Sequence, residues 1–136
     1  MDSVGVAIDS RKKIIIFRLR GNAGSGDMAD KAQAAYDSLD APWTYHRLID
    51  LRVFTSLLAY EDIERMAIQW AEVCRGRESL TKTAVVNAGT LSAVRAKAYG
   101  HLFPNVDIRA FTCFDEALDW LSPAAALIAR PAARRA

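Results

Sequence analysis

The apolar residues of this chain change period in a fixed order, and that order limits the folds open to it. Val4, Val6 and Ile8 alternate with Gly5, Ala7 and Asp9, the period of a strand with one apolar face. After the polar turn Ser10-Arg11-Lys12-Lys13, the run Ile14-Ile15-Ile16-Phe17 with Leu19 suits a strand buried on both faces. So short a connection predicts an antiparallel hairpin. Gly21-Asn22-Ala23-Gly24-Ser25-Gly26 then breaks the strand. Beyond it Met28, Ala32, Ala35, Tyr36 and Leu39 recur at helical spacing, with Ser25 or Asp27 as the expected N-cap and Ala41-Pro42 as the stop.

The alternation continues. Tyr45 to Leu51 reads as a strand, and Tyr60, Ile63, Met66, Ala67, Trp70, Val73 and Cys74 trace an amphipathic helix ending near Gly76. Thr81 to Asn87 reads as a strand, and Leu91, Val94, Ala98 and Leu102 mark a further helix stopped by Phe103-Pro104-Asn105. Val106, Ile108, Ala110 and Phe111 form a last strand before a short helix with Ala117, Leu118, Trp120 and Leu121. The order ββαβαβαβα predicts an α/β fold: a hairpin leading into a mixed, mostly parallel sheet of about five strands packed by four helices. With 136 residues, 51% of them hydrophobic, the chain has the length of one domain and too much apolar content for disorder. The domain is expected over 1–122, followed by an Ala/Arg/Pro-rich tail over 123–136 that frays.

No uninterrupted apolar run approaches the roughly 20 residues of a membrane span. Met1-Asp2-Ser3-Val4 shows no basic stretch before an apolar core, so no secretory signal and a cytoplasmic location are expected. The formal charge of +2 belongs to the tail. Arg130, Arg134 and Arg135 lie after Pro123 and no acidic residue does, which leaves 15 basic residues against 16 acidic ones before it. A nucleic-acid footprint needs basic residues clustered on a folded face, so none is expected. Cys74 and Cys113 form no CxxC pair and have no nearby histidine, as expected of ordinary thiols in a reducing compartment.

Residue types with catalytic potential do not combine into a catalytic set. The glycine loop 21–26 sits where phosphates often bind, but it lacks the Gly-Lys-Ser/Thr ending of a P-loop and the dinucleotide spacing. Ala23 and Asp27 stand where a nucleophile elbow around Ser25 would need glycines. His46 and His101 are the two histidines, with no HxH or HxxxH pair, so no metal site and no cofactor are expected. Asp115, Glu116 and Asp119 fall in the first turns of the last helix, where carboxylates suit the dipole. Trp70 and Trp120 occupy apolar helical positions and read as core.

The segment Asp50-Leu51-Arg52-Val53-Phe54-Thr55-Ser56 stands out because it follows a central strand. In open α/β sheets, ligands gather beyond the carboxyl ends of strands. Asn87-Ala88-Gly89-Thr90 follows the next parallel strand and is expected on the same rim. Asp50, Arg52, Phe54, Thr55, Ser56, Asn87 and Thr90 are therefore the candidate ligand or partner contacts. The structural alternative is that Ser56 or a neighbour caps the second helix and Asp50 supports a strand end.

Leu48-Ile49-Asp50-Leu51 resembles the central strand of STAS domains of the anti-sigma-factor antagonist type. The phrases Phe103-Pro104-Asn105-Val106-Asp107-Ile108-Arg109-Ala110-Phe111 and Phe114-Asp115-Glu116-Ala117-Leu118-Asp119-Trp120-Leu121 resemble the SpoIIAA-like (STAS/SEC14-type) family of small bacterial proteins. The likeness in element order runs from Val4 to about Ser122 and is sharper from Thr83 to Leu121. It implies a non-enzymatic regulatory module that works through a protein partner. In the antagonists, a serine at the start of the helix after the central strand is phosphorylated, and the new charge switches binding. Thr55-Ser56-Leu57-Leu58 stands where they carry Asp-Ser-Ser-Gly, so Ser56 is the candidate phosphorylation position. The SEC14 side of the resemblance implies an apolar ligand instead. A small-molecule binder, taking an apolar or anionic ligand in a crevice between the sheet edge and Phe54, Trp70 and Tyr99, is the second expectation. Homodimerisation through a helix face or sheet edge fits either one, and an enzyme would need a general base that the sequence does not supply.

Overall fold

The computed structural model describes residues 2–87 and 98–122. Ile14–Gly21, named β2, buries Ile14, Ile15, Phe17 and Leu19, as its β-branched apolar run demands. It pairs antiparallel with β1, Ser3–Asp9, so the expected hairpin is present. On its other side β2 pairs parallel with β3, His46–Phe54. Two more parallel strands follow, β4 at Thr81–Val86 and β5 at Val106–Phe111. Among the described residues these form one sheet in the order β1-β2-β3-β4-β5. The spatial order thus follows the chain order, which the alternation of elements had left open.

Register sorts side chains onto two faces. Ile15, Arg47 and Thr83 are successive cross-strand partners, and so are Phe17, Ile49 and Val85. This face is covered by α1, Ser25–Asp37, and α2, Tyr60–Val73, through Met28, Ala32, Tyr36 and Trp70. The opposite face carries Ile14, Leu48, Ala84 and Val86, and α3, Phe114–Leu121, closes it with Ala117 and Leu121. Two cores therefore lie back to back, divided by the sheet.

Three sequence expectations change in detail. Three helices stand among the described residues where four were expected. The helix marked by Leu91, Val94, Ala98 and Leu102 falls mostly on 88–97, outside the described residues, with Ala98 and Tyr99 helical and a 3-10 turn at Gly100–Leu102. Neither Ser25 nor Asp27 caps α1; its N-cap is Gly24, with no side-chain cap, and Ser25 has turned to other work. The strand expected to end at Leu51 continues through Arg52, Val53 and Phe54. Its pairing with β2 passes an irregularity between Arg18 and Arg20 and resumes at Arg20–Val53 and Gly21–Phe54, which extends β3 beyond the apolar run.

Candidate functional site

The expected rim divides between the two faces of the sheet. Asp50 is 2% exposed and points towards α3. Its Oδ2 accepts from Arg18 Nε at 3.0 Å and Arg52 Nη2 at 2.8 Å. Its Oδ1 accepts from Arg52 Nε at 2.9 Å and the Arg52 backbone N–H at 3.1 Å. Burial pushes the Asp50 carboxyl up, but the hydrogen bonds and charge of Arg52 and Arg18 outweigh it and hold it below its ordinary value. Both guanidiniums also lie over the Phe114 ring, at 5.5 Å and 4.7 Å. Asp50 and Arg52 thus form a clamp that joins β2, β3 and α3, and the carboxylate has little acceptor capacity left for a ligand.

Thr55 closes the strand end. Its N–H donates to the Gly21 carbonyl at 2.8 Å and its Oγ1 to Asn22 Oδ1 at 3.0 Å, so the glycine loop and the end of β3 are tied together. Asn87 bridges neighbouring strands: its N–H reaches the Phe111 carbonyl at 2.9 Å and its Nδ2 the Leu51 carbonyl at 3.4 Å. Thr90 lies outside the described residues. Ser56 is exposed and precedes the α2 N-cap, Ala59, without capping the helix.

That cap comes from elsewhere. The Ser25 Oγ accepts the Ala59 N–H at 3.0 Å and donates to Asp62 Oδ2 at 2.5 Å. A hydroxyl at the start of α1 therefore satisfies a free amide at the start of α2, and the two helix ends are locked side by side.

Phe54 and Ser56 belong instead to an apolar crevice between α2 and the sheet face of β3, β4 and β5. Its cavity volume is about 120 Å³, and it opens to solvent at one side. Trp70 and Tyr99 line it too, so the three aromatic residues expected around a crevice do share one. Ile63 and Met66 on α2, with Phe103 and Ile108 opposite, make most of the wall hydrocarbon. Tyr60 meets Tyr99 edge-on at 5.6 Å.

Among the described residues, one charged side chain stands in that wall. Arg47, on the same strand face as Ile49 and Leu51, is 6% exposed. Its Nε donates to Thr83 Oγ1 at 3.2 Å, Nη2 to Thr81 Oγ1 at 3.0 Å, and Nη1 to the Tyr45 carbonyl at 3.4 Å. Trp70 stacks on it with 3.5 Å from Cζ to ring centroid. Burial lowers its pKa, opposed by nearby Tyr36 and Cys74, yet a guanidinium keeps its proton at neutral pH. Sequence reading passed over Arg47, although the signal was there. Tyr45, Arg47, Ile49 and Leu51 share one strand face, so a cation was due to land among apolar neighbours, opposite the threonines of the next strand.

No family model and no curated protein matches the chain. Among solved structures it is similar to the crystal structure of an uncharacterized protein of the DUF3478 family, with a SpoIIAA-like fold, from Shewanella loihica PV-4. The TM-score is 0.60 at 17% sequence identity, over 88% of this chain and 92% of that one. No helix among the described residues is long and apolar enough to cross a membrane. With a hairpin, parallel strands in sequence order and helices on both faces, the chain has the SpoIIAA-like fold that its C-terminal phrases suggested.

Proposed function

We propose that this chain is a non-enzymatic binding module that takes a small ligand with an apolar body in the crevice beneath α2. The observation that carries the reading is the crevice itself, whose wall is hydrocarbon and aromatic save for a few polar groups that include Arg47, Ser56 and Thr83. That composition is typical of small-molecule sites, where apolar area supplies affinity and sparse polar groups fix orientation. The test is a thermal-shift screen of apolar and amphipathic compounds on the unmodified chain and on Met66→Trp, which fills the space. Compounds that raise Tm of the first and not of the second support the reading. A screen in which no compound raises Tm sinks it.

A second reading keeps the regulatory role through a protein partner or a second copy of the chain. It is favoured by Val53, Leu57 and Tyr60, which are 57%, 54% and 45% exposed and cluster around the end of β3 and the start of α2. Exposed apolar side chains grouped in one short segment are suited to contact. A phosphoryl group on Ser56 would sit before the helix rather than on its N-cap, so any such switch would act on this surface and not through the helix dipole. Sizing of the chain and of Leu57→Asp tests the self-association arm: a larger species lost in the variant supports it, and an unchanged monomer in both removes it. The free thiols Cys74 and Cys113 suit a reducing compartment such as the cytoplasm under either reading.

A further inference from the structure

The geometry points to a carboxylate on an apolar body as the ligand class, and we propose that Arg47 is the group that recognises it. The proposal rests on the crevice beneath α2 being a ligand site, and it adds the chemistry of the head group. Arg47 is buried, and it lies in the crevice wall. A guanidinium taken out of water is costly unless an opposite charge meets it. Among the described residues every ion pair is made by another cation: Arg18, Arg52, Arg65, Arg75 or Arg109. Arg47 has only neutral oxygens for partners, from Thr83, Thr81 and the Tyr45 carbonyl.

Donor arithmetic sharpens the point. A guanidinium carries five N–H groups in a planar fork. One from each nitrogen is engaged by the protein, which leaves one on Nη1 and one on Nη2. Trp70 covers a flat face and leaves the edges, where those donors lie, uncovered by the ring. A carboxylate offers two acceptor oxygens in the plane that such a fork can meet. A single buried cation balances a single negative charge, so a monoanion fits better than a doubly charged phosphate. Behind the head group, Ile49, Phe54, Ile63, Met66, Phe103 and Ile108 would receive hydrocarbon.

The test is isothermal titration calorimetry near neutral pH with matched probes that differ only in the head group. The sets are octanoate, octanol and octylamine, and 3-phenylpropionate, 3-phenylpropanol and 3-phenylpropylamine, each added to the unmodified chain and to Arg47→Met. The carboxylates are expected to bind about tenfold or more tighter than their alcohols, and the amines weakest. In Arg47→Met that preference disappears while the alcohols still bind. Should the variant fail to fold, the probe series on the unmodified chain, with the Arg47 Nε–H resonance shifting for octanoate and not for octanol, decides the matter alone. Alcohols binding as tightly as carboxylates overturns the proposal and leaves the crevice as a ligand site. A carboxylate preference that survives in Arg47→Met overturns the role of this residue. Failure of every probe to bind overturns both the proposal and the reading beneath it.

Discussion

Arg47 of β3 and Trp70 of α2 lie in contact, with the guanidinium carbon 3.5 Å from the centre of the indole ring. Tyr36 of α1 packs against Trp70 in a tilted contact, with ring centroids 5.3 Å apart and an interplanar angle of 56°. β3, α2 and α1 thus meet through this group, in which the Trp70 ring face offers a desolvated cation part of the attraction that water no longer supplies. Arg47, Trp70 and Tyr36 also form part of the crevice wall, so the ring that covers Arg47 helps shape the space beside it.

Removing the ring should therefore cost more than its area. Trp70→Ala is expected to lose about 3–5 kcal/mol, because a large buried ring goes and Arg47 loses its cover. The double variant Arg47→Met/Trp70→Ala should cost less than the sum of the two single changes, since the charge that the ring covers is gone. Urea denaturation of the three variants measures this. Strict additivity would show that the stack contributes packing and nothing specific to the charge.

Asp50 anchors the other face. Asp50→Asn is expected to cost about 1–3 kcal/mol, a figure discounted because Arg18 and Arg52 are part exposed and screened. Its depressed pKa fixes the sign of a pH effect. The folded state holds the carboxylate ionised more strongly than the unfolded chain does. The contribution is thus full above the unfolded value of about 3.9 and disappears as pH falls through the lower folded value. Stability measured from about pH 5 downwards should fall less steeply in Asp50→Asn. Parallel curves would deny the clamp its role.

What could be read from the sequence was local, and what could not was paired across the fold. The hairpin followed from the alternation at Val4, Val6 and Ile8 and the apolar run at Ile14, because strand periodicity is written into neighbouring residues. The aromatic crevice was legible in outline, since Phe54, Trp70 and Tyr99 occupy positions that parallel topology brings towards one face. The end of β3 was misread because apolar patterning stops at Leu51, whereas Val53 and Phe54 stay in the strand only through pairing with Arg20 and Gly21. Asp50 reads from sequence as either a ligand contact or a strand-end support, because nothing in its own segment announces Arg18 on the adjacent strand or Phe114 on α3. Ser25 looked like a cap for its own helix, and only tertiary packing directs it to the next one.

His46 supplies a second pH effect. Burial lowers its pKa first, and the positive charges of Lys82 and Arg47 push it further down. Its Nδ1 accepts the Lys82 backbone N–H at 3.0 Å, so the folded state needs that nitrogen unprotonated. The unfolded chain takes up the proton at about pH 6.5. The stability that neutral His46 contributes is full above that value and is lost as pH falls through the lower folded value. Histidine NMR titration should place the His46 midpoint below about 6.5, and His46→Gln should flatten stability between about pH 7 and 5. A midpoint at or above the ordinary value would contradict the geometry.

Ser25 ties the start of α1 to the start of α2, and its replacement should reach the crevice as well as the fold. Ser25→Ala deprives the Ala59 N–H of its acceptor and leaves Asp62 without the hydroxyl, for an expected loss of about 1–2 kcal/mol. Leu57 and Leu58 line the crevice just before Ala59, so loosening this cap loosens part of the wall. Faster amide exchange at Ala59 and weaker binding of the apolar probes should then appear together. Asp62→Asn keeps an acceptor for the Ser25 hydroxyl and leaves the Ala59 bond intact, so it should show the smaller change in both measurements. If Asp62→Asn proved the more damaging of the two, the carboxylate and not the serine hydroxyl would be holding the helix ends together.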